Sequence, residues 1–306
     1  MELARRHKGR LLNGVLLLDK PMGLSSNDVL QRVRRLYGAA KAGHTGSLDP
    51  LATGVLPICF GEATKFSQYL LDADKAYVTT ATLGVVTTTS DSEGEILRTN
   101  VVPEYSKDFI EDVLNQFRGE SQQIPSMFSA LKHHGRPLYE LARRGVEVER
   151  EARSINISSL TLLGSTSDTL SLEVYCSKGT YIRNLVEDIG EVLGCGAHVS
   201  MLRRIKAGPF GIDECFTLEQ LIDQRAQGGG ALIDMNLLPV DVVLADFPKI
   251  SINSELGRSI LHGQPVKIPS GFMPGMGRIY IEGDFVGMGE VDQDDVLAPK
   301  RLFSSN

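Results

Sequence analysis

One aspartate and one histidine stand out in a stretch near the N-terminus. Residues 42–57, AGHTGSLDPLATGVLP, contain three glycines and two prolines, which argues against a regular helix or a central strand. Asp49 precedes Pro50, so its backbone is expected to be extended, and Asp-Pro pairs are common in purely structural turns. Apart from Asp49 and His44 the stretch is uncharged, so we expect it to pack against the protein. An ordered loop that carries a carboxylate is a candidate for chemistry.

A cation in an unfavourable position marks a second polar segment, SKGTYIR at 177–183. The apolar residues that follow recur at helical spacing and predict a helix capped by Thr180. Arg183 then lies in the first turn, where the helix dipole slightly disfavours a cation. Two explanations remain open: an i,i+4 pair with Glu187, or an ion pair with a carboxylate elsewhere in the fold.

Four motifs resemble, in their order along the chain, those of the TruB-type pseudouridine synthases. They are LLDKP at 17–21, GHTGSLDPLATG at 43–54, DKAY at 74–77 and SKGTYIR at 177–183. The resemblance runs from about residue 14 to residue 302. It implies an enzyme that isomerises uridine to pseudouridine in the T-loop of tRNA, at position 55, after flipping the base out of the RNA.

The resemblance also assigns catalytic roles. Asp49 matches the catalytic aspartate, and Arg183 matches an arginine that orients this carboxylate through an ion pair. Tyr181 matches the phenol near the uracil ring that handles the final proton at C5. Whether the aspartate attacks the sugar or the base is left open by the sequence.

Four further residues form the substrate-binding set that the resemblance implies. Tyr77 would stack on the extruded base, and Leu202 would close the apolar wall of the pocket. His44 would fill the space that the base vacates or stack on neighbouring bases. Lys20, beside Pro21, would support the pocket.

The chemistry itself needs no cofactor and no metal. Isomerisation breaks the C1′–N1 bond, turns the base and forms a C1′–C5 bond, and a carboxylate suits this task because it can bond to or stabilise the reacting carbon. A glycosidase would want a second carboxylate as proton donor. Glu62 is the nearest following acid, thirteen residues after Asp49, which favours isomerisation over hydrolysis.

Composition favours a globular protein of the cytoplasm. Hydrophobic residues make up 42% and charged residues 23%, and no apolar run approaches the roughly 20 residues of a membrane span. Cys59, Cys176, Cys195 and Cys215 show no Cys-x-x-Cys spacing, so we expect free thiols in a reducing compartment and no zinc site. A monomer is expected.

A local basic surface is predicted despite a net charge of −6. Residues 1–50 carry nine Lys/Arg and four Asp/Glu, and the segment 124–153 combines cations with a flexible, apolar turn. That segment suits an insertion that contacts RNA, although a hairpin and helix packed on the core is an equal alternative. The predicted RNA-binding residues are Arg32, Arg34, Arg35, Lys41, Lys132, Arg136, Arg143 and Arg144.

The predicted fold class is α+β, with a mixed, mainly antiparallel sheet and flanking helices. We expect a catalytic domain at 1–245 and a small β-rich domain at 246–306. The second domain resembles the PUA domain, which is named after pseudouridine synthases and archaeosine transglycosylases. The expected partner is the T-arm of tRNA, with no guide RNA and no membrane. Two alternatives remain: a guide-RNA-dependent relative, and an RNA-binding or RNA-folding module with a dormant site.

Overall fold

The computed structural model describes residues 9–303. The predicted domains extend from residue 1 to residue 306, so residues 1–8, with the cations Arg5, Arg6 and Lys8, and residues 304–306 lie outside the described part. Within residues 9–303, none of the helices is both long and apolar enough to cross a membrane.

The first and larger part of the chain is a strand-rich unit. Its strands are β1 (Gly14–Lys20), β2 (Ala42–His44), β3 (Thr53–Phe60), β4 (Lys75–Leu83), β5 (Val85–Thr87), β6 (Ile96–Thr99), β7 (Gly119–Gln123), β8 (Lys132–His133), β9 (Arg136–Pro137), β10 (Arg153–Ser165), β11 (Thr169–Cys176), β12 (Ala197–Ala207), β13 (Phe210–Gly211) and β14 (Phe216–Thr217). Its α-helices are α1 (Ser26–Tyr37), α2 (Ser67–Leu71), α3 (Lys107–Asn115), α4 (Leu138–Ala142), α5 (Ile182–Leu193) and α6 (Leu218–Asp234).

Ten of these strands form one mixed sheet. Its order is β14-β1-β3-β12-β4-β11-β10-β7, with β2 paired to β3 and β13 paired to β12. The pairs β1/β14 and β3/β12 are parallel, and the other pairs are antiparallel. The predicted α+β fold with a mainly antiparallel sheet is therefore confirmed.

Helices cover this sheet with the apolar stripes that the sequence predicts. In α5, the residues Leu185, Val186 and Ile189 are buried in one core with apolar residues of α3 and the sheet. In α1, Val29 and Val33 pack in a second core with β1, β3 and α6. Burying each such side chain stabilises the fold by about 1.5–3 kcal/mol, so α5 is held firmly where it presents Arg183.

The prediction that residues 42–57 exclude a central strand is wrong in part, whereas the strand that the apolar run from Val55 to Phe60 predicts is confirmed. Residues Ala42–His44 and Thr53–Phe60 are strands, and Pro57 pairs with Leu17 in the interior of the sheet. On its other side, β3 pairs with β12 only at Thr53 and Gly54, and with β2 only from Ile58 onward. Pro57 falls between these two partners, so its missing N–H interrupts neither ladder.

Two helices differ from their predicted form. The sequence from Ala63 to Leu71 predicts one helix, but the structure has a 3₁₀ turn, Gly61–Lys65, followed by the short α2, with non-helical backbone at Phe66. The three glycines at 228–230 predict a flexible break after a short helix that begins at Thr217, but α6 continues through them to Asp234. Gly229 nevertheless has φ 65° and kinks it, so the break appears as a bend.

The C-terminal part is β-rich. It contains β15 (Lys249–Ile252), helix α7 (Ser254–Leu261), β16 (Val266–Lys267), β17 (Gly275–Ile281), β18 (Asp284–Val291) and β19 (Val296–Leu302). The five strands form a separate sheet in the order β15-β17-β18-β19-β16. The ring of Phe285 meets Phe66 of the larger unit at 5.6 Å between centroids, and Met288 is buried in the same shared core.

Candidate active site

A cavity of about 340 Å³ lies over one face of the large sheet. Its floor contains Lys75 and Tyr77 of β4 and Leu202 and Arg204 of β12, because alternate residues of a strand share a face. The loop between β2 and β3, with Asp49, forms one wall. Ser177, residues 179–183 and residues 129–131 are further lining residues.

Asp49 and Arg183 meet in this cavity. Arg183 Nε lies 2.9 Å from Asp49 Oδ2, although the two residues are 134 positions apart in the sequence. The Arg183 side chain is only 5% exposed, whereas that of Asp49 is 41% exposed and opens into the cavity. The guanidinium therefore belongs to the protein interior, and the carboxylate is presented to whatever fills the cavity.

Arg183 is held from behind by backbone and by a second acid. Nη1 donates to the Thr89 carbonyl oxygen at 2.9 Å and lies 3.7 Å from Asp91 Oδ2, and Nη2 donates to the Phe128 carbonyl oxygen at 2.7 Å. Glu187, the i,i+4 candidate, instead accepts a hydrogen bond from Ser90 Oγ. The ion pair with a distant carboxylate is thus the one that the structure contains.

Three family models match successive parts of this chain. A model of the TruB family pseudouridylate synthase N-terminal domain matches residues 34–182. A tRNA pseudouridylate synthase B C-terminal domain matches residues 183–245, and a pseudouridine synthase II TruB C-terminal domain matches residues 248–303.

Curated relatives extend the match over the whole chain. Proteins named tRNA pseudouridine synthase B from Tolumonas auensis and Pseudomonas syringae are 52% and 56% identical, over 99% and 97% of this chain and 95% and 97% of their own. The chain belongs to the TruB family of pseudouridine synthases. A solved structure described as a Cbf5-Nop10-Gar1 complex contains a similar chain, with a TM-score of 0.75 and 26% identity over 96% of this chain and 86% of that one.

In this TruB-family fold, burial and the ion pair act in opposite directions on the pKa of Asp49. The cavity walls desolvate the Asp49 carboxyl and raise its pKa, even though part of the side chain faces the cavity, and the nearby Arg183 guanidinium opposes the shift. Burial likewise raises the pKa of Tyr77 and of Tyr181. Both phenols therefore stay protonated near neutral pH.

Lys20 supports the site from outside the cavity. Its side chain is fully buried and donates to the carbonyl oxygens of Pro21 and Ala52 at 2.8 and 2.6 Å. Burial lowers the pKa of Lys20 to about 8. The bond to Ala52 joins Lys20 to the end of the Asp49 loop, and Lys20 is not among the residues that line the cavity. Its predicted role in supporting the pocket stays a prediction.

His44 lies on β2, and it is not among the residues that line the cavity. Its ring is half-buried, and its Nδ1 has no hydrogen-bond partner among residues 9–303. Burial lowers the pKa of His44, with a further contribution from Arg204, so the ring is neutral at physiological pH. The predicted role of His44 in filling the vacated base position stays a prediction.

The predicted RNA-binding side chains lie on the surface. All eight are exposed, and none forms an ion pair within residues 9–303. The segment 124–153 forms a hairpin and a short helix, and its predicted contact with RNA stays a prediction. Its hairpin, β8 and β9, carries exposed cations, while Ser129, Ala130 and Leu131 form a wall of the cavity and Phe128 binds Arg183.

Sequence reasoning missed several residues of the site. Arg204 and Lys75 line the floor, and they could have been found by alternation from Leu202 and Tyr77. Asp91 lies in a Thr- and Ser-rich turn, a composition that is typical of a solvated surface. Ser90 in the same turn has φ 58°, which is uncommon outside glycine. The Phe128 carbonyl could not have been found from the sequence, because a backbone group of any residue type can make this contact. The predicted cap of α5 also differs, because the N-cap position is Tyr181 and Thr180 bonds to the Ser177 carbonyl.

We predict that Asp49 titrates above the ordinary carboxyl range, and higher still when Arg183 is replaced. Desolvation disfavours the carboxylate, so its midpoint should lie above about 3.9. Arg183→Gln removes the cation that favours the charged form and should raise the midpoint further. Carboxyl-carbon NMR of ¹³C-aspartate-labelled protein checks this, with Asp49→Asn to assign the signal.

Asp72 supplies an internal control for this titration. A hydrogen bond from Lys178 lowers the pKa of Asp72, so its midpoint should lie below the ordinary range and should not respond to Arg183→Gln. An Asp49 midpoint at or below the ordinary range, or a downward shift in Arg183→Gln, would contradict the assignment.

Proposed function

We propose that this chain isomerises uridine to pseudouridine in the T-loop of tRNA, at position 55. The observation that carries the proposal is the Asp49 carboxylate, which is paired with a buried guanidinium and faces a cavity with room for one flipped base. The identity of more than 50% with proteins named tRNA pseudouridine synthase B, over nearly the full length of both chains, supports tRNA as the substrate.

Each wall of the cavity supplies one part of the reaction. The base stacks on Tyr77, with Leu202 closing the apolar side. Asp49 assists departure of N1 from C1′, while Arg183 keeps its carboxylate ionised and oriented. After the base turns and C5 bonds to C1′, the Tyr181 phenol handles the proton that leaves C5. Electrons and atoms are conserved, so no cofactor is required.

Hydrolysis of the glycosidic bond is the competing reaction for a carboxylate in such a cavity. Among the described residues that line the cavity, Asp49 is the one carboxylate. Asp91 lies behind Arg183 and is 3% exposed, so it cannot reach a leaving group as general acid. A hydrolase of this kind would need a second acid on the substrate side, and isomerisation fits the lining better.

The protein acts alone on tRNA, without a guide RNA. The relatives named tRNA pseudouridine synthase B are about twice as similar in sequence as the chain in the Cbf5-Nop10-Gar1 complex. The exposed cations of 124–153 and of α1 give it a surface of its own for phosphates. A monomeric enzyme of the cytoplasm suffices for this function.

We predict that Asp49→Asn abolishes turnover and leaves tRNA binding intact. Losing the carboxylate should cost at least about 4 kcal/mol of transition-state stabilisation, or roughly a thousandfold in rate. The measurement is single-turnover pseudouridine formation in an unmodified tRNA transcript, with chemical mapping of the modified position. An RNA-binding module with a dormant site would show no turnover in the wild type either.

Asp72→Asn is the matched control, because Asp72 is an exposed aspartate paired with Lys178 outside the cavity. Its rate should equal that of the wild type. Pseudouridine at comparable rates in Asp49→Asn would contradict the role of Asp49, and modification elsewhere than the T-loop would contradict the assigned position.

We predict that four exposed cations of 124–153, two on the hairpin and two at the end of helix α4, carry phosphate contacts. Replacing Lys132, Arg136, Arg143 and Arg144 with alanine should weaken tRNA binding and flatten its dependence on salt. Four lost contacts, at about 0.7–0.9 each, should reduce the log–log slope by roughly 3. Filter binding across a salt series measures the slope, with the exposed Lys107 of α3 replaced as a control. An unchanged slope would place the phosphates elsewhere.

A further inference from the structure

The charged side chains of the interior gather around one cavity. Among the buried residues in 9–303, four carry cationic side chains, Lys20, Lys75, Arg183 and Arg204, and one acid, Asp91, is equally buried. Three of the four cations line the cavity and the fourth clamps its loop. With Asp49 included, the site holds two more cations than carboxylates.

Arg204 is the cation for which the structure provides no acid. Its side chain is 1% exposed, and no carboxylate of residues 9–303 lies within ion-pair distance. Nε donates to the Val55 carbonyl oxygen at 2.7 Å and Nη2 to the Gly46 carbonyl oxygen at 3.2 Å. Because a guanidinium cannot lose its proton in a protein, this charge is permanent and buried without compensation.

The position of Arg204 relates it directly to the expected base. Arg204 and Tyr77 are opposite residues in the antiparallel pair β12/β4, and both line the cavity floor. Burial raises the pKa of the Tyr77 phenol, and the nearby Arg204 guanidinium acts in the opposite direction. A base stacked on Tyr77 therefore lies against a fixed positive charge, while Asp49 is presented from a different wall.

The reaction puts negative charge on that base. If C1′–N1 breaks first, the bonding pair stays with the base as a uracil anion with charge on N1, O2 and O4. If Asp49 adds to C6 first, the displaced pair becomes an enolate on O4. In both cases the negative charge leaves the base when C5 bonds to C1′, the C5 proton moves to solvent and N1 gains a proton. In the second case the bond between Asp49 and C6 also breaks, and its electron pair returns to the carboxylate. A preorganised cation stabilises such a transient anion most strongly where water is excluded.

We propose that Arg204 stabilises the negative charge that develops on the base during isomerisation, as the electrostatic counterpart of Asp49. The proposal rests on the proposed function, since it concerns the same reaction. In the free protein this charge has no acid partner, and it adds to the effect of burial in lowering the pKa of both Lys75 and His44. The transient anion of the base supplies the negative charge that Arg204 lacks in the free protein.

The test compares charge with structure at position 204. Arg204→Gln removes the charge and can still donate to the backbone carbonyls, whereas Arg204→Lys keeps the charge and loses the planar fork. Single-turnover pseudouridine formation at saturating tRNA gives the rate, filter binding gives Kd, and thermal unfolding reports the fold. Arg204→Gln should be slower by about 100-fold or more, the scale of losing one donor at a developing anion. Arg204→Lys should stay within about tenfold of the wild type, and Kd should be unchanged in both.

Arg203→Gln is the matched control. Arg203 is the neighbouring arginine on β12, and its guanidinium pairs with Asp19 at 2.7 Å, outside the cavity. Its rate should equal that of the wild type. A rate for Arg204→Gln close to the wild type, equal losses in the glutamine and lysine variants, or failure of both to fold would overturn the proposal. An inactive wild type would instead overturn the proposed function.

Discussion

The Arg183 guanidinium is the group on which the rest of the site depends. It is almost fully buried, so each of its N–H groups must find an acceptor inside the protein. The acceptors come from three distant parts of the chain: the Asp49 loop, the turn that contains Thr89 and Asp91, and the Phe128 carbonyl. Helix α5 supplies the guanidinium, and the apolar face of α5 fixes its place on the sheet. Bringing these segments to one cation is what closes the cavity around the carboxylate.

The same logic explains why the interior tolerates so much charge in one place. Lys20 and Lys75 each satisfy their ammonium groups with backbone carbonyls, and both have a pKa lowered by burial to about 8. Arg204 has carbonyl partners but no acid. A buried cation without a carboxylate is costly, so these arrangements lower the stability of the folded protein. No negative charge offsets this cost before a substrate enters. Their grouping around Asp49 indicates a site built for charge that appears only during the reaction.

Much of this site could be predicted from the sequence, but by different routes. The motifs indicated Asp49, Tyr77, Tyr181 and Arg183, and the family resemblance added Leu202; all five line one cavity. Local physics alone offered less: an ordered, mostly uncharged loop and an arginine on the wrong end of a helix dipole. Strand alternation from Leu202 would have added Arg204. Asp91 and the Phe128 carbonyl could not be predicted, since their role arises from long-range packing. Pro57 argued wrongly against a central strand. It lies in a gap between two partner strands, β12 and β2, and such a gap is a property of the whole sheet that the neighbouring sequence does not reveal.

A double-mutant cycle tests most directly the claim that Arg183 and its supports act as one unit on Asp49. Single-turnover rates are measured for Arg183→Lys, Asp91→Asn and the double variant, each at saturating tRNA and with binding measured separately. If Asp91 acts only through Arg183, the double variant should be no more than about threefold slower than the slower single variant, since residues of one network do not contribute independently. If the two losses multiply instead, Asp91 affects the reaction by a separate route and the account of a single network is wrong.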